Sequence, residues 1–251
     1  MHATTEERLQ AVADWQLEFV RLIAFPVATP LFLEQQWWQE LAGEQPSDYL
    51  PTRDPQFRDE RGTVRGDLLV LRVDQRRIIW EVRSPRVVGP SGVFPTLGPF
   101  RERLAGFVAM IGPWLANSCP PLIRLSLSAK MLQPAATAGE AYRVLAAHLP
   151  AVKLDSNPND FAVQINRRKA TSDVIVGLPI NRVCTWSKLN VPMFVEPLQP
   201  FEWPDRCYSA LELDINTAPE KTDTLPAAVL PRLFGELVAL GVEIAERGDT
   251  P

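Results

Sequence analysis

An order of apolar periods that runs through this chain twice constrains its fold more than any single motif. Residues 19–27 form a β-branched and aromatic run that reads as a strand. Thr29 and Pro30 then read as an N-cap with proline in the first helical turn. The helix they open carries Leu33, Trp37 and Leu41 on one face and stops at Gly43. After a polar, proline-rich connection, residues 66–73 and 78–83 read as a hairpin turning through residues 74–77. Behind Pro99, the residues Phe100, Leu104, Phe107, Ile111 and Leu115 recur at helical spacing.

The second half repeats the pattern. Residues 122–128 read as a strand in which Ile123, Arg124 and Leu125 echo Val20, Arg21 and Leu22. Thr137 and Glu140 form a capping box that opens a helix through Leu149. Residues 161–167 and 174–186 read as a longer hairpin, and residues 207–215 as a further strand. The last helix places Val229, Leu233, Leu237, Leu240 and Ile244 on one stripe and ends at Gly248. Pro231 marks either its start or a kink. The expected fold class is α+β: an antiparallel sheet with helices packed on one face. A strand-helix-strand-strand-helix unit is duplicated on this reading. The expected division is residues 1–118 and 119–251, as two halves or one continuous domain.

Of the 251 residues, 46% are apolar and 22% charged, which is globular composition with ample material for a core. Residues 104–123 lack charge, but Gly106, Gly112, Pro113, Asn117, Ser118, Pro120 and Pro121 interrupt them. They read as a buried helix ending near Asn117 and a strand starting near Leu122, not as a membrane span. Three widely spaced cysteines, Cys119, Cys184 and Cys207, read as free thiols. Free thiols and a start without a basic, apolar leader give the expectation of a cytoplasmic chain.

Charge is unevenly distributed. Residues 1–52 carry two basic and eight acidic side chains, and residues 190–251 carry four and eleven. Residues 53–189 carry twenty basic against eleven acidic. Both expected hairpins are basic. Arg61, Arg65, Arg72, Arg76, Arg77, Arg83 and Arg86 lie in or beside the first, and Arg167, Arg168, Lys169, Arg182 and Lys188 in or beside the second. One reading is a cationic surface for a polyanion, with Trp80 and Trp186 stacking on bases. The other is that these cations pair with the acidic ends of the same chain.

Catalytic motifs are sparse. His2 is terminal, and His148 sits where a helix C-terminal dipole favours it. Gly89, Pro90, Ser91 and Gly92 make a turn rather than a nucleophile elbow. Glu212 and Asp214 alternate on one strand face and so offer two oxygens to a hard divalent metal. Glu81, Arg83 and a neighbouring Asp67 loosely match a nuclease-type carboxylate pair, but arginine stands where a lysine is needed. No cofactor and no metal ligand set is expected. Ile-Asn-Arg occurs at residues 165–167 and 180–182. A turn near Asp173 and Val174 would set Asn166 opposite Asn181, either as a register-fixing polar pair or as a reader of carboxylate, phosphate or backbone.

The pattern Asp160-Phe161, Gln164-Ile165-Asn166-Arg167, then Ile180-Asn181-Arg182 and Trp186-Ser187 resembles one in uncharacterised, sporadically distributed bacterial proteins. The likeness spans about residues 120–190, including 140–145, and extends toward residues 213–217. Residues 168–170 and 183–185 depart from it. It implies a bacterial, mobile or defence-linked setting and no particular activity. The leading expectation is a non-catalytic accessory protein that recognises another protein. Seven tryptophans support it, above all the adjacent Trp37 and Trp38, one of which is expected at the rim or surface. The alternative is a nucleic-acid binder using the two basic hairpins, and the second alternative a metal-dependent nuclease. The candidate binding residues are Trp38, Arg72, Arg76, Arg77, Asn166, Arg167, Arg168, Lys169, Asn181, Arg182 and Trp186.

Overall fold

The computed structural model describes residues 15–28, 36–50, 57–86, 93–154, 160–190 and 207–249. The first half contributes strand β1 (Gln16–Pro26), helix α1 (Trp37–Ala42), strands β2 (Asp48–Leu50), β3 (Arg58–Val64), β4 (Asp67–Val73), β5 (Ile78–Arg83) and β6 (Gly98–Pro99), and helix α2 (Phe100–Asn117). The second contributes β7 (Leu122–Ala135), α3 (Ala138–His148), β8 (Phe161–Asn166), β9 (Ile180–Asn190), β10 (Cys207–Thr217) and α4 (Leu230–Arg247). The expected cap at Thr29 and Pro30, Leu33, and the turn at residues 89–92 lie outside the described residues.

All ten strands form one antiparallel sheet in the order β2-β3-β4-β5-β1-β7-β10-β9-β8, with β6 pairing β1 beside this path. The sheet is therefore continuous across both halves, joined by the β1–β7 pair. Outward from that pair the first half runs β1, β5, β4, β3 and the second β7, β10, β9, β8. The two halves thus share one topology, with β2 and β6 added to the first. Matching residues 20–22 to 123–125 places the local two-fold axis through the Ile23–Ser126 pair.

Period-2 alternation sorts every strand into two faces. Leu22, Trp80, Leu71, Leu127, Leu213, Cys184 and Trp186 face the helices and are at most 2% exposed. The four helices all pack on this face. Phe107 of α2 meets Phe234 of α4 at 6.4 Å, and Gly241 of α4 sits against Leu127 and Leu213. Pro231 lies in the first turn of α4, where a missing N–H costs nothing, so the helix starts there without a kink. The Thr137 cap is present, its Oγ1 accepting from Glu140 N at 3.2 Å, while Glu140 Oε2 reaches one residue past the cap and accepts from Ala136 N at 2.9 Å. No helix among the described residues is long and apolar enough to cross a membrane. The three cysteines are free, and burial pushes the Cys119 thiol up to about 12.

Three expectations need correction. The polar connection before β4 contains the strands β2 and β3. β3 escapes a pattern search because Arg58 and Glu60 carry charge on the helix face while Asp59 and Arg61 carry it on the other. Its turn into β4 holds Arg65 and Gly66 at φ 53° and 88°, the positive pair that a two-residue hairpin requires. Second, β9 begins at Ile180, not at residue 174. Residues 167–179 form a loop folded against α4, held by Glu236, which accepts from Lys169 Nζ at 2.8 Å and Asp173 N at 2.9 Å. Third, neither Trp37 nor Trp38 reaches the surface. They are 2% and 1% exposed. α1 lays both onto the helix face, where Trp37 meets Trp114 at 5.7 Å and Trp38 meets Trp80 at 6.5 Å. Gly62 is what admits Trp38, because a Cβ there would stand 2.9 Å from its Cζ2.

Candidate functional site

The opposite face of the sheet is packed by none of the described helices, and it holds the chain's most distinctive chemistry. β1 supplies Phe19, Arg21, Ile23 and Phe25 to it, all half-buried. Register then fixes their neighbours: Arg83 and Glu81 of β5 on one side, Lys130, Ser128, Ser126 and Arg124 of β7 on the other. Arg21 lies over the Phe19 ring at 4.1 Å and donates to Glu81 at 2.6 Å. Arg124, its counterpart in the second half, lies over Phe25 at 4.7 Å. Cation–π contact holds both guanidiniums against the sheet.

Charge on the strands of this face is balanced among the described residues. Among the described residues the cations are Arg21, Arg61, Arg72, Arg83, Arg124 and Lys130. The carboxylates are Glu18, Asp48, Asp59, Glu81, Glu212 and Asp214. Asp59 is 3% exposed and takes Arg61 at 2.7 Å and Arg72 at 3.2 Å. Burial pushes its carboxyl up, yet the two guanidiniums outweigh that and hold it below the usual carboxylate range. Glu18 takes Lys130 at 2.8 Å.

A polar row crosses the second half of the same face. Ser126 donates to Asp214 at 2.7 Å, Asn216 donates to Asp214 at 3.0 Å, and Asn181 donates to Asn216 at 3.2 Å. Asn166 donates to Asn181 at 3.5 Å. Asn166 and Asn181 are not directly opposite, as a turn at residue 173 would have made them. Asn166 pairs with Val183, so the two amides meet diagonally, and Asn181 pairs with Asn216. Glu212 and Asp214 do share this face, but Asp214 is occupied by Ser126 and Asn216. Among the described residues no group of three metal-ligating side chains forms. The Asp67–Glu81 pair is also absent, because Asp67 faces the helices and is bridged to Arg103 of α2.

The remaining candidate residues lie elsewhere. Trp186 is 0% exposed on the helix face, stacked on His148 at 5.1 Å and 18°, and Trp80 is 0% exposed in the tryptophan cluster. Neither is available to a base. Arg77 pairs with Asp74 at 2.8 Å within its own turn, where Arg76 donates its backbone N–H to Asp74. Arg167 pairs with Asp249, Arg168 with Glu220, Lys169 with Glu236, and Arg182 with Glu243. All four acids come from the acidic segment 190–251. These cations of the second hairpin are thus paired with acids of the C-terminal segment, and the hairpin is not a free cationic surface.

Sequence reasoning passed over Phe19, Arg21, Phe25 and Arg124 as site residues. Their signal was the shared odd-numbered phase of the first three, hidden because Val20, Leu22, Ala24 and Pro26 of β1 are apolar as well. Compared with models of known families and with curated proteins, the chain matches none.

Proposed function

We propose that this chain is a non-catalytic accessory protein that binds another protein through the sheet face on which none of the described helices packs, here termed the open face. The observation that carries this reading is the composition of that face. Half-buried Phe19, Ile23 and Phe25 stand among arginines most of which are already paired with carboxylates. Aromatics and arginine are the residues enriched at protein interfaces, whereas a polyanion surface needs a net excess of cations. The partner-binding role first given to Trp38 passes to these residues. The likeness of residues 120–190 to sporadically distributed bacterial proteins supports a mobile or defence-linked setting. The test is affinity capture of the tagged chain from its native cells, with and without nuclease, read by mass spectrometry. A stoichiometric protein partner that survives nuclease supports the reading. Nucleic acid as the sole captured species overturns it.

A further inference from the structure

Among the described residues the open face carries a groove of about 510 Å³ at the Phe19 end of β1. Its floor is Phe19, Arg21 and Glu81, and its walls are the segments at residues 84–86 and 94–95. Phe94 is fixed there by an edge-on contact with Tyr208 at 5.2 Å and by a hydrogen bond from its backbone N–H to the Tyr208 hydroxyl at 3.3 Å. The volume falls in the range of specific binding sites, and the lining mixes apolar walls with a few convergent charges.

Those charges do not cancel. Glu81 is 5% exposed and serves two guanidiniums, Arg21 at 2.6 Å and Arg83 at 3.5 Å. Glu18, the other acid of the lining, is taken by Lys130 from outside it. No carboxylate among the described residues reaches Arg86, which is exposed at the groove mouth. One buried carboxylate neutralises one cation, so among the described residues the groove presents an excess of two, located at Arg83 and Arg86. Arg21 is tied to Glu81 and Phe19 and keeps its place.

We infer that this groove receives an acidic segment of the protein partner, with carboxylate side chains on Arg83 and Arg86 and an apolar side chain against Phe19 and Phe94. This rests on the protein-binding reading of the open face and names the chemistry it recognises. The bidentate fork of arginine matches a carboxylate, and exposed pairs of this kind set specificity and association rate.

The experiment uses the full chain, a fluorescent hexapeptide alternating glutamate with leucine and phenylalanine, and its glutamine counterpart. Anisotropy at low salt should show millimolar or tighter binding of the glutamate peptide and none of the glutamine peptide. The double variant R83E/R86E should weaken binding about tenfold or more. Equal binding of both peptides, equal binding by the variant, or no binding at millimolar peptide overturns the inference. So does displacement of the bound peptide by an oligothymidylate at equal charge. If R83E/R86E melts below the parent, R86Q replaces it, with a smaller loss of peptide affinity expected and no loss overturning the proposal. Capture of the same cellular partner by parent and R83E/R86E overturns the inference alone. Peptide binding with no captured protein overturns the partner reading alone.

Discussion

Arg167 grips Asp249 through two parallel N–H···O bonds of 2.9 and 2.7 Å across 82 positions of sequence. Asp249 is 3% exposed, and its backbone N–H donates to the His148 carbonyl at 2.8 Å. One acidic residue thus ties the end of α4 to the loop after β8 and to the end of α3. Asp249→Ala leaves the guanidinium without its carboxylate and is expected to lower the unfolding midpoint in urea without changing the slope. Gly248 beside it sits at φ 72°, with the His148 carbonyl 2.3 Å from where a Cβ would be. Gly248→Ala is expected to be worse than Asp249→Ala in the same measurement.

Trp38 is a core residue, packed on Trp80 and Gly62. Trp38→Ala is expected to cost about 3–5 kcal/mol in equilibrium unfolding. Gly62→Ala presses a methyl group against the same indole and is expected to cost about 1–3 kcal/mol. A Trp38→Ala chain of parental stability would remove this placement.

Stability should fall in acid. Burial pushes the carboxyl of Glu236 up, but Lys169, Ser172 and the Asp173 N–H outweigh it and leave it lowered, as Arg61 and Arg72 do for Asp59. Lowered carboxyls bind fewer protons in the folded than in the unfolded chain. Their stabilisation is therefore complete above the ordinary values of 4.5 and 3.8 and is lost as pH drops through and below them. Chemical denaturation from pH 7 to 3 is expected to show a plateau above about pH 5 and a decline below it.

The arginines and Lys169 of the second hairpin already have intramolecular partners. Titration with a duplex oligonucleotide is expected to give weak binding and a shallow salt dependence, equivalent to fewer than about two phosphates. The double variant E220Q/E243Q frees Arg168 and Arg182 and is expected to bind more tightly and with a steeper salt dependence.

Local signals in the sequence were dependable where one rule acted alone. The hairpin β4–β5, the cap at Thr137, the start of α4 at Pro231 and its end at Gly248 all follow from turn and cap chemistry. β3 was illegible because charges occupy both of its faces, paired within the strand and with Arg72 of the next one. The register of β8 and β9 was misjudged because the loop 167–179 is held by Glu236, which no local rule connects to it. The tryptophan pair was misplaced because adjacent helical residues normally diverge. A six-residue helix lying across a wide sheet buried both. The charge asymmetry was visible, but only the fold shows which acids meet which bases.

The most direct test places two carboxylates on the open face, at half-buried Ile23 and Val183, and two on the exposed outer surface of α2 and α4, at Ala109 and Ala239. Each double glutamate variant is checked for parental thermal stability and used to capture the cellular partner. The open-face variant is expected to lose the partner while the helix-face variant keeps it. Partner capture that survives I23E/V183E and fails with A109E/A239E would contradict the assignment of the open sheet face as the binding surface.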